Sequence, residues 1–178
     1  MFSERSGVVN IALEGIMIMG AFVSILFVFF TQDIIKGQLL LILAVLVAGA
    51  SGAVFSLLHA YASVNMKADQ VISGTALNML APAVAIFVAR TIRSVQQIPF
   101  RNQFHIRSVP VLGNIPIIGP MLFQNAYITT YIGFAILVVS AIVLYKTKFG
   151  LRLRACGEHP HAADSVGINV YKIRYAGV

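Results

Sequence analysis

Four apolar runs, each long enough to cross a bilayer, leave this chain few ways to fold. They cover about residues 8–30, 38–61, 70–92 and 125–145. At about 1.5 Å per helical residue, roughly 20 residues traverse a hydrocarbon core of about 30 Å. Lipid offers backbone N–H and C=O groups no partner, so an isolated span has to satisfy them internally as a helix. The rest of the composition agrees. Hydrophobic residues make up 58 % of the chain and charged ones 11 %, more apolar surface than a soluble domain of 178 residues would hide. The expected fold class is all-α: a polytopic membrane protein with about four transmembrane helices. The first run is too long for a signal peptide and lacks a small-residue cleavage site, so it counts as a span.

The spans are not uniformly apolar. Asn10, Glu14, Met17, Ala21 and Ser24 recur at spacings of three and four, which predicts a semi-polar stripe on a helix starting near Val8. An acid within a span costs about 2–4 kcal/mol on insertion scales, so Glu14 is expected to face protein or water, with Asn10 one turn away as a partner. Three readings fit the pair: lining a transport pathway, closing a buried interhelical hydrogen bond, or an acid close enough to the surface to escape the core. In the second run Ala44, Ala48, Gly52, Ser56 and Ala60 repeat every four residues, a groove into which another backbone can fit. His59, near its end, reads as an interfacial residue, since no second histidine lies at metal-ligand spacing. The third run holds Ser73, Gly74, Thr75 and Asn78 ahead of Pro82, which removes the hydrogen bond to the carbonyl of Asn78. A kink or unwound turn is expected there, with Asn78 either beside a pathway or satisfying a neighbouring helix.

The connections carry most of the charge. Asp69 is placed to cap the third helix. Residues 93–124 contain Pro99, Pro110, Pro116 and Pro120 with Gly113 and Gly119, which forbid a long helix and predict an extracytoplasmic loop; His105 stands alone in it. Residues 146–170 open with Lys146, Lys148, Arg152 and Arg154 directly behind an apolar run, the mark of a cytoplasmic exit. With that loop inside, Arg5, Lys67, Lys172 and Arg174 also fall inside, and Lys36, Arg90, Arg93, Arg101 and Arg107 fall outside. Behind the basic cluster, Pro160 suits a first helical turn, Ala162 and Ala163 favour helix, and Gly167 can close its end, giving a short helix of roughly two turns. The net charge of +7 follows from this topology and from anionic lipid, and calls for no nucleic acid. Cys156 is the only cysteine, so no disulfide and no Cys-based metal site is expected. Nothing matches GxxxxGK[ST], and neither a catalytic residue nor a metal site is expected.

Three stretches, SERSGVVNIALEGIMIMGAF, KADQVISGTALN and GLRLRACGEHPHAADSVGINVYKIRYAGV, resemble motifs of one family in that family's order, and together they reach across nearly the whole chain. The family is that of permease subunits of bacterial ATP-binding-cassette (ABC) importers, in the branch serving nucleosides, simple sugars and branched-chain amino acids; the likeness is greatest to nucleoside permeases. The resemblance implies a cytoplasmic coupling helix in the loop with Gly157, Glu158, Pro160, Ala162, Ala163 and Gly167, docking on an ATPase subunit that hydrolyses ATP. It places the NxxxEG segment with Asn10 and Glu14 near the translocation pathway, and adds Asn78 as a pathway candidate. It further implies no cofactor bound by this chain, a second permease subunit, an extracytoplasmic substrate-binding lipoprotein, a lipid surround and a multi-pass place in the bacterial plasma membrane. Such permeases have more spans, so the chain is expected to be a fragment. A simple-sugar permease is the alternative within the family. Two rivals lie outside it: a secondary carrier driven through Glu14, and an intramembrane enzyme using His159, His161 and Asp164.

Overall fold

The computed structural model describes residues 1–94, 97–99, 104–108 and 124–178. The expected features at Pro110, Gly113, Pro116, Gly119 and Pro120 lie outside the described residues. Eight helices are described: α1 (Phe2–Arg5), α2 (Leu13–Thr31), α3 (Gln38–Ala60), α4 (Gln70–Arg93), α5 (Ile128–Lys146), α6 (Lys148–Glu158), α7 (Pro160–Ser165) and α8 (Val170–Gly177). A π-helical turn over Tyr61–Asn65 extends α3. Four of these are long and apolar enough to cross a membrane: α2, α3 with its extension, α4 and α5. The membrane-crossing part is all-helical, as expected. Two short strands, β1 (His105–Ser108) and β2 (Gln124–Tyr127), pair antiparallel with Ile106 opposite Ala126. The last span therefore starts at Ile128 rather than near residue 125, because the residues ahead of it are taken up in strand pairing.

Small residues set the packing of α2, α3 and α4. Gly37, at φ +75, turns the chain so that α3 runs back along α2, and Val28, Leu40 and Ala44 form a buried cluster near that turn. Further along, the Gly20 position faces the Ala48 carbonyl and Gly52 faces the Ile16 side chain. The four-residue ladder of α3 lies on this face, with Ala44, Gly52 and Ala60 buried. On the other side of α2, a Cβ on Gly15 would stand 2.7 Å from the Leu77 carbonyl oxygen, and one on Gly74 would stand 2.7 Å from the Ile11 Cβ. Both separations are closer than carbon tolerates, so the backbones of α2 and α4 touch only because these positions are glycine. The pairings run in the same direction along both chains, making α2 and α4 parallel neighbours.

Two elements depart from the sequence pattern. The first helix does not begin near Val8: residues 7–12 are unwound and α2 starts at Leu13. Conversely, α4 is continuous from Gln70 to Arg93 with Pro82 inside it, so of the kink or unwound turn expected there the unwound turn is absent. Leu77 and Ala81 are buried just ahead of the proline, and that packing holds the helix although one backbone bond is lost. The capping of α4 is as read, with Asp69 Oδ1 accepting from the Val71 and Ile72 amides at 2.8 and 3.1 Å.

Residues 146–170 are more helical than a loop. Thr147 Oγ1 donates to the Val143 carbonyl at 2.5 Å and accepts from the Gly150 amide at 3.2 Å, folding α6 sharply against the end of α5. Gly150 is obligatory there, because a Cβ would run into the Leu144 carbonyl. Gly157 and Glu158 end α6, so the separate short helix comprises only Pro160–Ser165. It opens on Pro160 and is closed by Gly167 at φ +82, with the Ile168 amide donating to the Ala163 carbonyl at 3.1 Å.

Candidate functional site

Residues 7–12 are unwound yet inside the fold: Val8 and Ala12 are buried, and Asn10 is 7 % exposed. A sequence as apolar as Val-Val-Asn-Ile-Ala would keep its backbone bonds within a helix unless other groups replaced them. Those groups come from three places in the chain. Ser3 Oγ donates to the Val8 carbonyl at 2.6 Å. The Val9 amide donates to Gln70 Oε1 at 2.7 Å, and the Val9 carbonyl faces His59 Nε2 at 3.3 Å. Asn78 Nδ2 donates to the Ile11 carbonyl at 2.9 Å, while its Oδ1 accepts from the Gly15 amide at 2.7 Å.

His59 is fully buried rather than interfacial. A carbonyl can only accept, so Nε2 carries a proton, and Nδ1 lies in hydrogen-bond reach of Ser73 Oγ at 3.1 Å. The imidazole thereby locks α3, α4 and the unwound segment to one another. Its position at the end of an apolar run gave no sign of this, because its partners lie 50 residues before it and 14 after it. Asn78 acts as a cap supplied from another helix: Ala12, at the N-cap of α2, has no side chain to offer the first-turn amides. Its amide is engaged at both ends by backbone, which makes it first of all a positioning residue.

Asn10 sits in the unwound segment and not on a helical stripe with Glu14. Its Nδ2 faces the Val178 carbonyl at 3.4 Å, an orientation that carbonyl requires of a donor, and its buried Oδ1 has no partner among the described residues. A buried amide oxygen left open costs about 1–3 kcal/mol, so it marks a place where a donor from outside these residues fits. Glu14 lies in the first turn of α2, where the helix dipole favours an anion, and its side chain is exposed. Gly15 beside it touches Leu77 and Asn78, roughly 10 Å along α4 from Gln70. At that depth an exposed carboxylate needs water or further protein against it. The three polar candidates of the spans thus gather around one break in one helix.

The unwound segment is continuous with α1, which packs on the helices behind α5. Gly157 lies so close to the Arg5 carbonyl that a Cβ there would collide with it, and Gly177 packs on the Ser6 side chain. On α7, Ala163 is buried, while Ala162, His161 and Asp164 are exposed. Glu158 is exposed at the end of α6. Cys156 is buried on α6; burial pushes its thiol above the usual range, and the Arg174 charge works in the opposite direction. Among the described residues no three His, Cys, Asp or Glu side chains converge as a metal site would require.

Comparison with known proteins places this geometry. The whole chain is 49 % identical to the guanosine ABC transporter permease protein NupQ of Bacillus subtilis, covering 56 % of that protein's length. It is 44 % identical to the nucleoside ABC transporter permease protein NupC of Lactococcus lactis, again over the whole chain and 56 % of the relative. The chain therefore spans about half the length of these curated relatives. No solved structure matches it. The family model described as "Branched-chain amino acid transport system / permease component" matches residues 1–178, and with its four apolar spans this multi-pass membrane protein belongs to that permease family.

Proposed function

We propose that the chain forms part of the translocation pathway of an ATP-driven nucleoside importer in the bacterial cell membrane. The observation that carries the pathway reading is the unwound segment at residues 7–12, with the open Oδ1 of Asn10 inside it and the exposed carboxylate of Glu14 just beyond. Broken helices whose backbone is satisfied by protein characteristically border transport pathways. The purine N–H and ribose O–H groups of a nucleoside are donors of the kind that Asn10 Oδ1 and Glu14 lack. The substrate class rests on the likeness to the guanosine and nucleoside permeases. In this reading the chain has no catalytic site; ATP is hydrolysed by partner ATPase subunits, and a second permease subunit and an extracytoplasmic binding lipoprotein complete the assembly.

The cytoplasmic side of the same reading is α7. Ala162 and its exposed neighbours form the face that meets the ATPase, and the helix joins α8 and α6, which hold α1 and the segment running from Gly7 to Ala12. Movement of α7 is thereby passed towards Asn10 and Glu14 through the close backbone approach of Gly157 to Arg5 and Gly7 and the packing of Gly177 on Ser6. Uptake of guanosine by the full-length transporter carrying Glu14→Gln tests the proposal. Normal assembly with uptake reduced at least tenfold is the expected result. Normal uptake in Glu14→Gln, with loss of folding in Glu14→Leu, would make Glu14 a structural hydrogen-bonding group and refute the pathway assignment. Preferential uptake of a free sugar over guanosine would shift the substrate class to simple sugars.

A further inference from the structure

A cavity of about 480 Å³ opens between the turn that joins α3 to α4 and the pair α7–α8, and it shares only Gln70 with the site described above. Lys67 and Gln70 face it from the membrane side, and His161, Asp164, Tyr171 and Arg174 from the other. The cations come from opposite walls, and Asp164 is the one acid between them. Among the described residues neither Lys67 nor Arg174 pairs with a carboxylate, and the buried Nε–H of Arg174 has no acceptor. An unpaired, partly buried guanidinium edge is a standing site for an oxyanion, since phosphate oxygens match its fork of donors. Lys67 lies in the turn at φ +51 and lines this wall.

We propose that this cavity binds a phosphate-bearing anion, and that the anion is the headgroup of an acidic membrane phospholipid. Its height favours the lipid source: the cavity begins where one span, Gln38–Asn65, ends and the next, Gln70–Arg93, begins, which is the level of the headgroups. Basic pockets at helix ends are where acidic headgroups are held. The other wall is α7, so a bound headgroup ties the short helix to the membrane surface and makes its position depend on lipid charge.

The test uses the full-length permease in its assembled transporter, stripped of lipid in detergent, with binding read by native mass spectrometry. Dihexanoyl-phosphatidylglycerol is expected to bind, and dihexanoyl-phosphatidylcholine, with the same tails, is not. Removing one basic residue should weaken binding about fivefold, the effect of one charge near a headgroup. Lys67→Asn suits the turn because asparagine tolerates its left-handed backbone. Arg174→Gln is the second variant, and Asp164→Asn should tighten binding. Binding of inorganic phosphate with the same dependence on Lys67, and none of the lipid, would keep the anion site and overturn the lipid source. Equal binding of the two lipids, or indifference to all three substitutions, would overturn the site itself. Nucleoside uptake enters none of these readings, so the proposal stands or falls apart from the transport assignment.

Discussion

Asn78 joins α4 to the unwound segment and to the first turn of α2 by one hydrogen bond each, and replacing it tests whether the break in the first span is held from outside. Asn78→Leu keeps much of the volume and removes both partners. The Gly15 amide then loses the cap that Ala12 cannot supply, at about 1 kcal/mol for a missing helix cap. The Ile11 carbonyl is left unpaired among packed residues, at about 1–3 kcal/mol. The sum, roughly 2–4 kcal/mol, corresponds to an increase of about 30- to 1000-fold in the local opening that amide exchange detects. Hydrogen exchange on the full-length permease in detergent, followed over residues 8–16, should show that acceleration with little change in the outer half of α2. Asn78→Asp separates the two bonds, because a carboxylate still accepts from Gly15 but cannot donate to Ile11. It should keep Gly15 protected. Unchanged exchange at Gly15 in Asn78→Leu would refute the account of the break.

Three further outcomes follow from single contacts. Ala162→Arg, on the exposed face of α7, should leave the permease folded and lower ATP-driven uptake at least tenfold with ATP hydrolysis no longer stimulated by substrate; survival of both would remove α7 as the docking helix. The buried Ala163 is unsuited to that test, since a charge there would damage packing before it touched a partner. Gly157→Ala should cost about 1–3 kcal/mol, read as a lower thermal midpoint, because its Cβ meets the Arg5 carbonyl and neither backbone can yield. Cys156 should resist maleimide at neutral pH and react only as the pH climbs past the ordinary thiol range. The raised thiol also fixes the sign of its effect on stability: the neutral form favours the fold, so its contribution is whole below the ordinary thiol range and is lost as pH climbs beyond that range through the raised value.

The spans were legible because lipid imposes a rule that composition alone can satisfy: about twenty apolar residues whose backbone closes on itself. The Asp69 cap and the Pro160 to Gly167 punctuation were legible for a similar reason, since each acts within a few residues of itself. Two of the departures, at residues 8–12 and at Pro82, were decided by packing rather than by local sequence. Residues 8–12 are as apolar as the helix that follows, and nothing within them announces a break; apart from the nearby Ser3, the side chains that replace their helical bonds are His59, Gln70 and Asn78, 50 to 67 residues away in sequence. Pro82 does announce a break locally, yet buried neighbours on α4 keep the helix intact around it. Asn10, Glu14 and Asn78 could be singled out in the sequence because polar groups in lipid are costly. Their separate tasks, an open acceptor, an exposed acid and a cap lent to another helix, arise only when α2 and α4 meet at Gly15 and Gly74, since contact at that distance decides which amide finds which partner.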